Sequence, residues 1–190
     1  MIDAKTADKD LVVDILLNTF AENKSVNYIA PTTFGDRRKR ALMEYAFDLC
    51  MLFGKVRLSD DRRGCALLVY PDWKRTSWRS FWLDLKLAFG LGLFYAIRAM
   101  RRESKVAARQ FSGKNVAYLW FIGVEQGFQN QGVGSKLLSE VILMCGRERR
   151  MVCLETSTLE NLPWYGNFGF RLYAKLDLGY ELFFLRRELD

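Results

Sequence analysis

The 190-residue chain contains no histidine. That excludes every Ser-His-Asp and Cys-His catalytic arrangement and every His-ligated zinc. A general base must then be a carboxylate, tyrosine, lysine, cysteine, backbone group or water. Proline is scarce, with only Pro31, Pro71 and Pro163. No low-complexity tract or Pro/Ser-rich linker interrupts the chain, so one domain spanning 1–190 is expected at this length. The four cysteines, Cys50, Cys65, Cys145 and Cys153, form no C-x-x-C pair, and no metal site is expected from their spacing. Each lies in an apolar run and reads as a buried free thiol in a reducing compartment. The first residues, MIDAKTADKD, contain no apolar signal-peptide stretch, which points to a cytoplasmic location. The uncharged run Leu87–Ile97 falls well short of the ~20 apolar residues that span a bilayer.

What is present is a globular composition: half the residues are hydrophobic and 14% aromatic. Lys+Arg number 29 against 22 Asp+Glu, a net charge of +7. Such a balance admits nucleic acid, an anionic membrane or a polyphosphate cofactor as partner, and does not choose among them.

Hydrophobic spacing predicts helices over 7–20 and 36–53, the second with Arg37–Arg40 at its start and Gly54 as its stop. Val56–Ser59 and Cys65–Tyr70 read as a hairpin around Asp60–Gly64. Residues 73–110 crowd Trp73, Trp78, Phe81, Trp82, Phe89, Phe94 and Tyr95 together with Lys74, Arg75, Arg79, Arg98, Arg101 and Arg102. This segment reads as a helical insertion, either a cover over an apolar acceptor pocket or a membrane-surface helix. A packed cover is favoured, because Gly90 and Gly92 weaken a continuous interfacial helix. Beyond it, Val116–Val124 is a strand, Gly127–Gly132 a loop and Val133–Arg147 a helix. Met151–Thr156 is a strand and Leu162–Asn167 a short helix. Phe170–Asp177 and Glu181–Arg187 are the last two strands. The order predicts a mixed α/β (α+β) domain around one sheet.

The strand, Gly-rich loop and helix over 116–147 form a phosphate-binding arrangement, because loop N–H groups and the positive end of the helix dipole converge there. Gly127 and Gly132 have P-loop spacing, but Val133 stands where the lysine must be. Gly132-Val133-Gly134 begins a Rossmann fingerprint, but Leu137 replaces its third glycine. What fits is Q-x-x-G-x-G opening a helix: Gln129-Asn130-Gln131-Gly132-Val133-Gly134. Two glycines let backbone N–H groups approach a pyrophosphate without Cβ obstruction.

In this stretch, together with Asn161-Leu162-Pro163-Trp164-Tyr165-Gly166-Asn167-Phe168-Gly169-Phe170, the chain resembles the GNAT superfamily of acetyl-CoA-dependent N-acetyltransferases. The second segment, preceded by Leu154-Glu155-Thr156-Ser157, is similar to the group that includes puromycin acetyltransferase. Gly127 stands where that family often has an acid, and Asn130 where it often has glycine. The resemblance covers nearly the whole chain. It implies a mixed, mostly antiparallel sheet flanked by helices and splayed between the strands ending at Val124 and Thr156. It also implies acetyl-CoA as cofactor, with the thioester beside Ile122, Gly123 and Val124. The pyrophosphate would lie on Gln129 to Ser135, with Gln131, Gly132, Val133 and Gly134 at its centre, and Asn161 would hydrogen-bond the pantetheine arm. Asn161 also reads as a helix N-cap. Lys136 either adds charge near the phosphates or is a solvated helix residue.

By the family's mechanism a primary amine of a small molecule or peptide attacks the thioester directly, and Tyr165 protonates the leaving thiolate; a core or stacking tyrosine is the competing reading. The strand Val116–Val124 contains no acid, and the histidine that several relatives carry just before it is absent. Glu155 is therefore the candidate base or ammonium ligand, against the reading of an exposed strand-end charge. An apolar body is favoured for the acceptor, since a strongly basic chain does not suggest an acidic cleft for polyamines. Two alternatives stand: a catalytically silent acyl-CoA-binding protein of this fold, and a basic nucleic-acid module using Arg37–Arg40 and the 98–102 cluster. Nucleic acid and membrane are disfavoured as partners, and a homodimer is left open.

Overall fold

The computed structural model describes residues 1–31, 35–111 and 115–189. Seven strands form one sheet: β1 (Ile2–Asp3), β2 (Gly54–Leu58), β3 (Gly64–Val69), β4 (Val116–Val124), β5 (Met151–Thr156), β6 (Arg171–Asp177) and β7 (Glu181–Arg187). Their spatial order is β1-β2-β3-β4-β5-β7-β6. Every neighbouring pair is antiparallel except β4 with β5, which run parallel. The helices are α1 (Lys9–Thr19), α2 (Lys24–Ile29), α3 (Arg37–Phe53), α4 (Trp78–Leu91), α5 (Leu93–Ala107), α6 (Val133–Arg147) and α7 (Asn161–Asn167). This is the mixed, mostly antiparallel sheet flanked by helices that the sequence predicts, with a two-helix insertion between β3 and β4.

The centre of the sheet is buried on both faces, most completely at β3. Strand alternation puts Cys65, Leu67 and Val69 of β3 into a core shared with α1 and α3. Ala66 and Leu68, with Tyr70 just beyond, enter a second core against α6 and α7. A strand covered on both faces reads as a continuous apolar run, which is what Gly64–Val69 is. Helix α6 buries Leu137, Leu138, Val141 and Cys145 at helical spacing.

The sequence reading misses two elements. One is the two-residue edge strand β1. The other is α2, six residues long and capped by Asn23, whose Oδ1 accepts the Val26 N–H at 3.1 Å. Gly54 ends α3 as its C-cap, as expected, but not through a left-handed turn. Its φ of −175° is extended, and β2 begins directly at it. A Cβ there would meet the Leu68 carbonyl oxygen at 1.9 Å, so the glycine is set by close approach of β3.

Three cations of the basic run at the start of α3 take partners within the chain, one buried, one half-buried and one at the surface. Lys39 is buried and donates to the Ala21 carbonyl. Arg38 donates to the Leu91 carbonyl at 3.0 Å, and Arg40 pairs with Asp14 at 2.6 Å. A nucleic-acid surface built on Arg37–Arg40 loses three of its four cations to these contacts.

All four cysteines are free and buried. Burial pushes the thiols of Cys65 and Cys145 up to about 12 and that of Cys153 up to about 11. A thiol held protonated and out of water is a poor nucleophile. The native protein is therefore expected to give no prompt reaction with Ellman's reagent at pH 8, and to release four equivalents once unfolded in guanidinium. Prompt labelling of the native state would contradict this packing.

Candidate active site

Strands β4 and β5 pair from Val116↔Met151 to Leu119↔Leu154 and then part. Each keeps its outer neighbour. β3 follows β4 to Val124, and β7 follows β5 to Thr156. A β-bulge drives the divergence locally: Leu67 opposes Phe121 while Leu68 opposes Leu119, leaving Trp120 as the extra residue. One inserted residue reverses the strand's parity. Phe121 thereby joins the α1–α3 core and Ile122 leans on the α6 side. Past Leu119, one edge of β4 has no strand partner among the described residues, so, apart from the Val124 carbonyl, the backbone groups on that edge can bond an extended ligand.

The gap opens into a cleft of about 1280 Å³, walled by residues of α1–α5, β4, the loop before α6, the end of β5 and α7. That exceeds the ~300–1,000 Å³ of a pocket for one small ligand, so two reactants fit side by side. Ile122, Gly123, Val124, Gln129, Asn130, Gly132, Gly134, Ser135, Glu155, Asn161 and Tyr165 all line it.

The loop is shaped for the mouth of this cleft. Asn130 (φ 60°) and Gly132 (φ 82°) are both left-handed, and Gly132 caps α6 without a side-chain acceptor. The first backbone donor to close a turn is Lys136, onto the Gly132 carbonyl at 2.9 Å. The N–H groups of Val133, Gly134 and Ser135 therefore lack an intrahelical partner, at the positive end of a 15-residue helix. Gln129 Nε2 and Thr19 Oγ1 both donate to the Val124 carbonyl, at 3.1 and 3.0 Å, fixing the strand end to the loop. Ser135 Oγ accepts from Trp164 Nε1 at 3.1 Å, which ties α6 to α7 across the cleft mouth.

Several expected contributors sit elsewhere. The Gln131 side chain turns back to the Gly127 carbonyl at 3.0 Å. Val133 leans toward β3, where its Cγ1 lies 3.3 Å from the Cβ position of Gly64. Neither side chain is on the cleft wall, so only their backbone can serve there. Lys136 pairs with Asp60 at 3.2 Å. Asn161 is the first residue of α7 rather than its cap, and Glu160 holds the cap position.

Glu155 is not an exposed strand-end charge. It is 91% buried and ion-paired with Arg102 of α5, itself 93% buried. Arg102 also donates to Ser25 Oγ at 2.8 Å and to Tyr180 Oη at 3.2 Å. Burial disfavours the Arg102 charge, but Glu155 and Tyr180 outweigh it and hold the guanidinium above its ordinary pKa. The second carboxylate oxygen, Glu155 Oε2, and the Tyr118 hydroxyl make no hydrogen bond within 3.5 Å among the described residues, although Tyr118 stands close to Glu155 and Gln110. Glu155 and Tyr118 both line the cleft. Burial, reinforced by the Glu155 carboxylate, pushes the Tyr118 phenol well up, so it is neutral at physiological pH. Buried polar atoms without partners are costly, and an arriving ligand that hydrogen-bonds them removes that cost.

Sequence reasoning does not single out Tyr118, Ser25 or Tyr180, and it reads Arg102 only as one cation of the 98–102 basic cluster, whereas the structure buries it. Arg102 carried one legible signal. It falls on the inward stripe of α5 with Tyr95, Ala99 and Val106, at spacings of seven, three and four. Its partners come from α2, β5 and the β6–β7 turn, which no local pattern joins.

Tyr165 is buried, with its ring 4.8 Å from Trp164 and 5.6 Å from Phe170. Burial raises its phenol pKa, so it holds its proton through neutral pH. Glu22, Asp84, Glu103 and Glu155 line the cleft against only Lys74 and Arg102. The interior of this basic protein is therefore locally acidic, which corrects the expectation from net charge. Helices α4 and α5 roof it with Leu87, Ala88, Leu91, Ala96 and Ala99.

Residues 93–172 match the family model described as an acetyltransferase (GNAT) domain. The chain is 26% identical over 167 residues to an uncharacterized N-acetyltransferase of Schizosaccharomyces pombe, an alignment covering 82% of this chain and 67% of that protein. Among solved structures it is similar to one described as histone acetyltransferase HPA2 and related acetyltransferase from Corynebacterium glutamicum. The TM-score there is 0.70 at 19% identity, over 100% of this chain and 95% of that one. It is also similar to arylalkylamine N-acetyltransferase 2 from Aedes aegypti, with a TM-score of 0.66 at 14% identity, over 100% and 98% of the two chains. At these identities the structural likeness shows a shared fold.

Removing one partner of a buried ion pair strands the other charge. Arg102→Met is expected to cost about 3–5 kcal/mol of stability in chemical denaturation. The same substitution in a Glu155→Gln background is expected to cost markedly less. Equal costs in both backgrounds would show that the pair is not what Arg102 supports.

Proposed function

We propose that this chain, which carries a GNAT acetyltransferase domain within a fold of that type, transfers the acetyl group of acetyl-CoA to the primary amine of an acceptor with an apolar body. The single observation that carries this reading is the parting of β4 from β5 beside an unpaired helix N-terminus, with a buried carboxylate oxygen lacking a partner on the opposite wall. The fit to acetyl-CoA rests on two features. Gly132 and Gly134 leave the three free N–H groups of α6 open to a pyrophosphate, and the unpartnered edge Trp120–Val124 suits an amide-containing arm. We read 1–190 as one domain, because the same sheet runs from Ile2 to Arg187.

When bound, acetyl-CoA supplies an activated acetyl thioester. The chain's residues do the rest. Backbone N–H groups at Ile122 to Val124 orient and polarise the carbonyl. Glu155 Oε2 and Tyr118 Oη hold the incoming amine, and Glu155 receives the proton it loses on attack. Tyr165, on the cleft wall and protonated, would give its phenolic proton to the thiolate that leaves as the amine takes the acetyl group. Asn161 holds the arm of the donor near the cleft mouth. Much of the rate comes from holding two reactants in one geometry. Arg102 is a positioning residue, since it fixes the rotamer of Glu155 and leaves one oxygen for the amine.

The acceptor class follows from the walls. Four acids against two bases favour a cation. The aliphatic roof from α4 and α5 favours a hydrocarbon or aromatic body, and disfavours a polyamine, which needs charge partners along its length.

The test is thermal stabilisation by acetyl-CoA followed by CoA release across a panel of amines. Acetyl-CoA is expected to raise Tm, and Gly134→Glu to abolish the shift by placing a carboxylate on the anion site. Arylalkyl and long-chain alkyl amines are expected to turn over faster than spermidine. No shift at millimolar acetyl-CoA would overturn the reading. A shift without turnover of any amine would favour a silent acyl-CoA-binding protein.

Tyr165→Phe is expected to lower kcat by about 10²-fold or more with the acetyl-CoA thermal shift nearly unchanged. An unchanged kcat would remove Tyr165 from the acid role.

A further inference from the structure

We propose that the outward face of helices α4 and α5 docks on an anionic lipid surface. This goes beyond the acetyl-transfer reading and does not depend on it.

The inner faces of the two helices are accounted for by the cleft and by α3. The outer faces are apolar and uncovered. On α4, Trp78, Phe81, Trp82 and Phe89 are exposed, Trp78 at 73% and Phe89 at 79%. Their spacing of three, one and seven puts them on one side of the helix. On α5, Leu93, Phe94, Ile97 and Met100 are exposed, Leu93 at 78% and Phe94 at 71%. The two stripes meet at the Gly92 turn (φ 82°), where Phe89, Leu93 and Phe94 lie within six residues. The Trp78, Phe81 and Trp82 rings cluster with one another, at centroid distances of 5.7 to 6.5 Å. Contiguous exposure of this kind marks an interaction surface.

Charge decides which surface. Arg75 and Arg79 flank the α4 stripe, and Arg101 and Lys105 continue the α5 stripe by one and two turns. All four are exposed, and none takes an ion pair within 4 Å among the described residues. The two acids of the same helices, Asp84 and Glu103, are exposed but lie at the border of the cleft. Asp84 accepts a hydrogen bond from Tyr45 at 2.7 Å, and both Asp84 and Glu103 line the cleft. The exposed side thus combines aromatic and aliphatic groups with four cations that take no ion pair, against the two exposed acids Asp84 and Glu103 at its border with the cleft. That is the pattern of a helix lying in a membrane interface, where aromatic rings enter the headgroup boundary and Lys/Arg meet anionic headgroups.

A second copy fits less well. A two-fold interface sets a patch against itself, and here that would bring four unpaired cations against four more. No helix among the described residues is long and apolar enough to cross a membrane, so the helices lie on the surface. The sequence alone favoured a packed cover, because Gly90 and Gly92 break a continuous helix. The break instead makes two short helices whose apolar stripes share one outer face. Met100 is both exposed and part of the cleft wall, so the cleft reaches this face.

The experiment is vesicle co-sedimentation of the full chain. Phosphatidylcholine vesicles are compared with phosphatidylcholine mixed with phosphatidylserine at about three to one, where binding is expected to be about tenfold tighter and to weaken with salt. Phe89→Glu/Phe94→Glu is expected to abolish binding to both, with unchanged Tm and an unchanged acetyl-CoA thermal shift. Arg101→Glu/Lys105→Glu is expected to abolish the preference for phosphatidylserine, and it probes the same face should the aromatic variant aggregate. Equal and negligible sedimentation with both vesicles would overturn the proposal. So would a dimer in sedimentation velocity that Phe89→Glu/Phe94→Glu dissociates, which would make the face a self-interface. Salt-sensitive binding of an RNA oligonucleotide without vesicle binding would overturn it in favour of nucleic acid. Loss of acetyl-CoA binding in an independent Gly134→Glu variant with vesicle binding intact would separate this proposal from the acetyl-transfer reading.

Discussion

The parting of β4 from β5 after Leu119 and Leu154 is the constraint on which the rest of the molecule depends. Two parallel neighbours in a sheet ordinarily satisfy each other's backbone groups along their full length. Here each keeps only its outer partner for its last residues. The cost of the freed edge is met in two ways. The Val124 carbonyl takes two side-chain donors, from Thr19 and Gln129, and the remaining edge is left for a ligand. The bulge at Trp120 lets β4 turn away while its side chains still fill both cores, since Phe121 and Ile122 exchange faces at that point. The cleft, the exposed N-terminus of α6 and the burial of Glu155 all follow from this one divergence.

Across the gap, charge is arranged against the bulk composition. The chain is basic, yet the cleft is lined by more acids than bases. Arg102 resolves the tension at its deepest point. It neutralises one oxygen of Glu155 from the roof and leaves the other without a partner. A buried pair of this kind is weak evidence for stability and better evidence for fixed geometry. The roof itself is two-sided: its inner faces supply aliphatic walls and Arg102, while its outer faces carry aromatics and unpaired cations. One insertion thus serves the site from within and presents an apolar, cationic surface without.

The order of elements was legible because each carries a local period. The alternation and β-branching of Val116–Val124, the helical spacing in α6 and the left-handed glycine before it are properties of neighbouring residues. The Gly-rich loop before α6 was legible for the same reason, whereas Tyr165 was singled out by the resemblance. Within the loop, Gln131 and Val133 turn their side chains to Gly127 and toward β3, leaving their backbone for the cleft mouth. Lys136 was open until Asp60 appeared beside it, 76 positions away in the chain. Arg37–Arg40 looked like a free basic patch, although Arg38, Lys39 and Arg40 find partners in three different elements.

The sequence by itself determined the strand–loop–helix core, the absence of histidine chemistry and the candidate residues along β4, α6 and α7. Those depend on backbone period and residue type, which are local. Only the tertiary structure decided that Glu155 is buried against Arg102, that Tyr118 stands beside it and that the cleft is acidic in a basic protein. It also decided which side of α4 and α5 faces out. Each of these is a pairing between elements distant in the chain, or a choice between two faces of one helix. Periodicity marks an apolar stripe, but whether that stripe meets core or solvent is set by what packs on its other side.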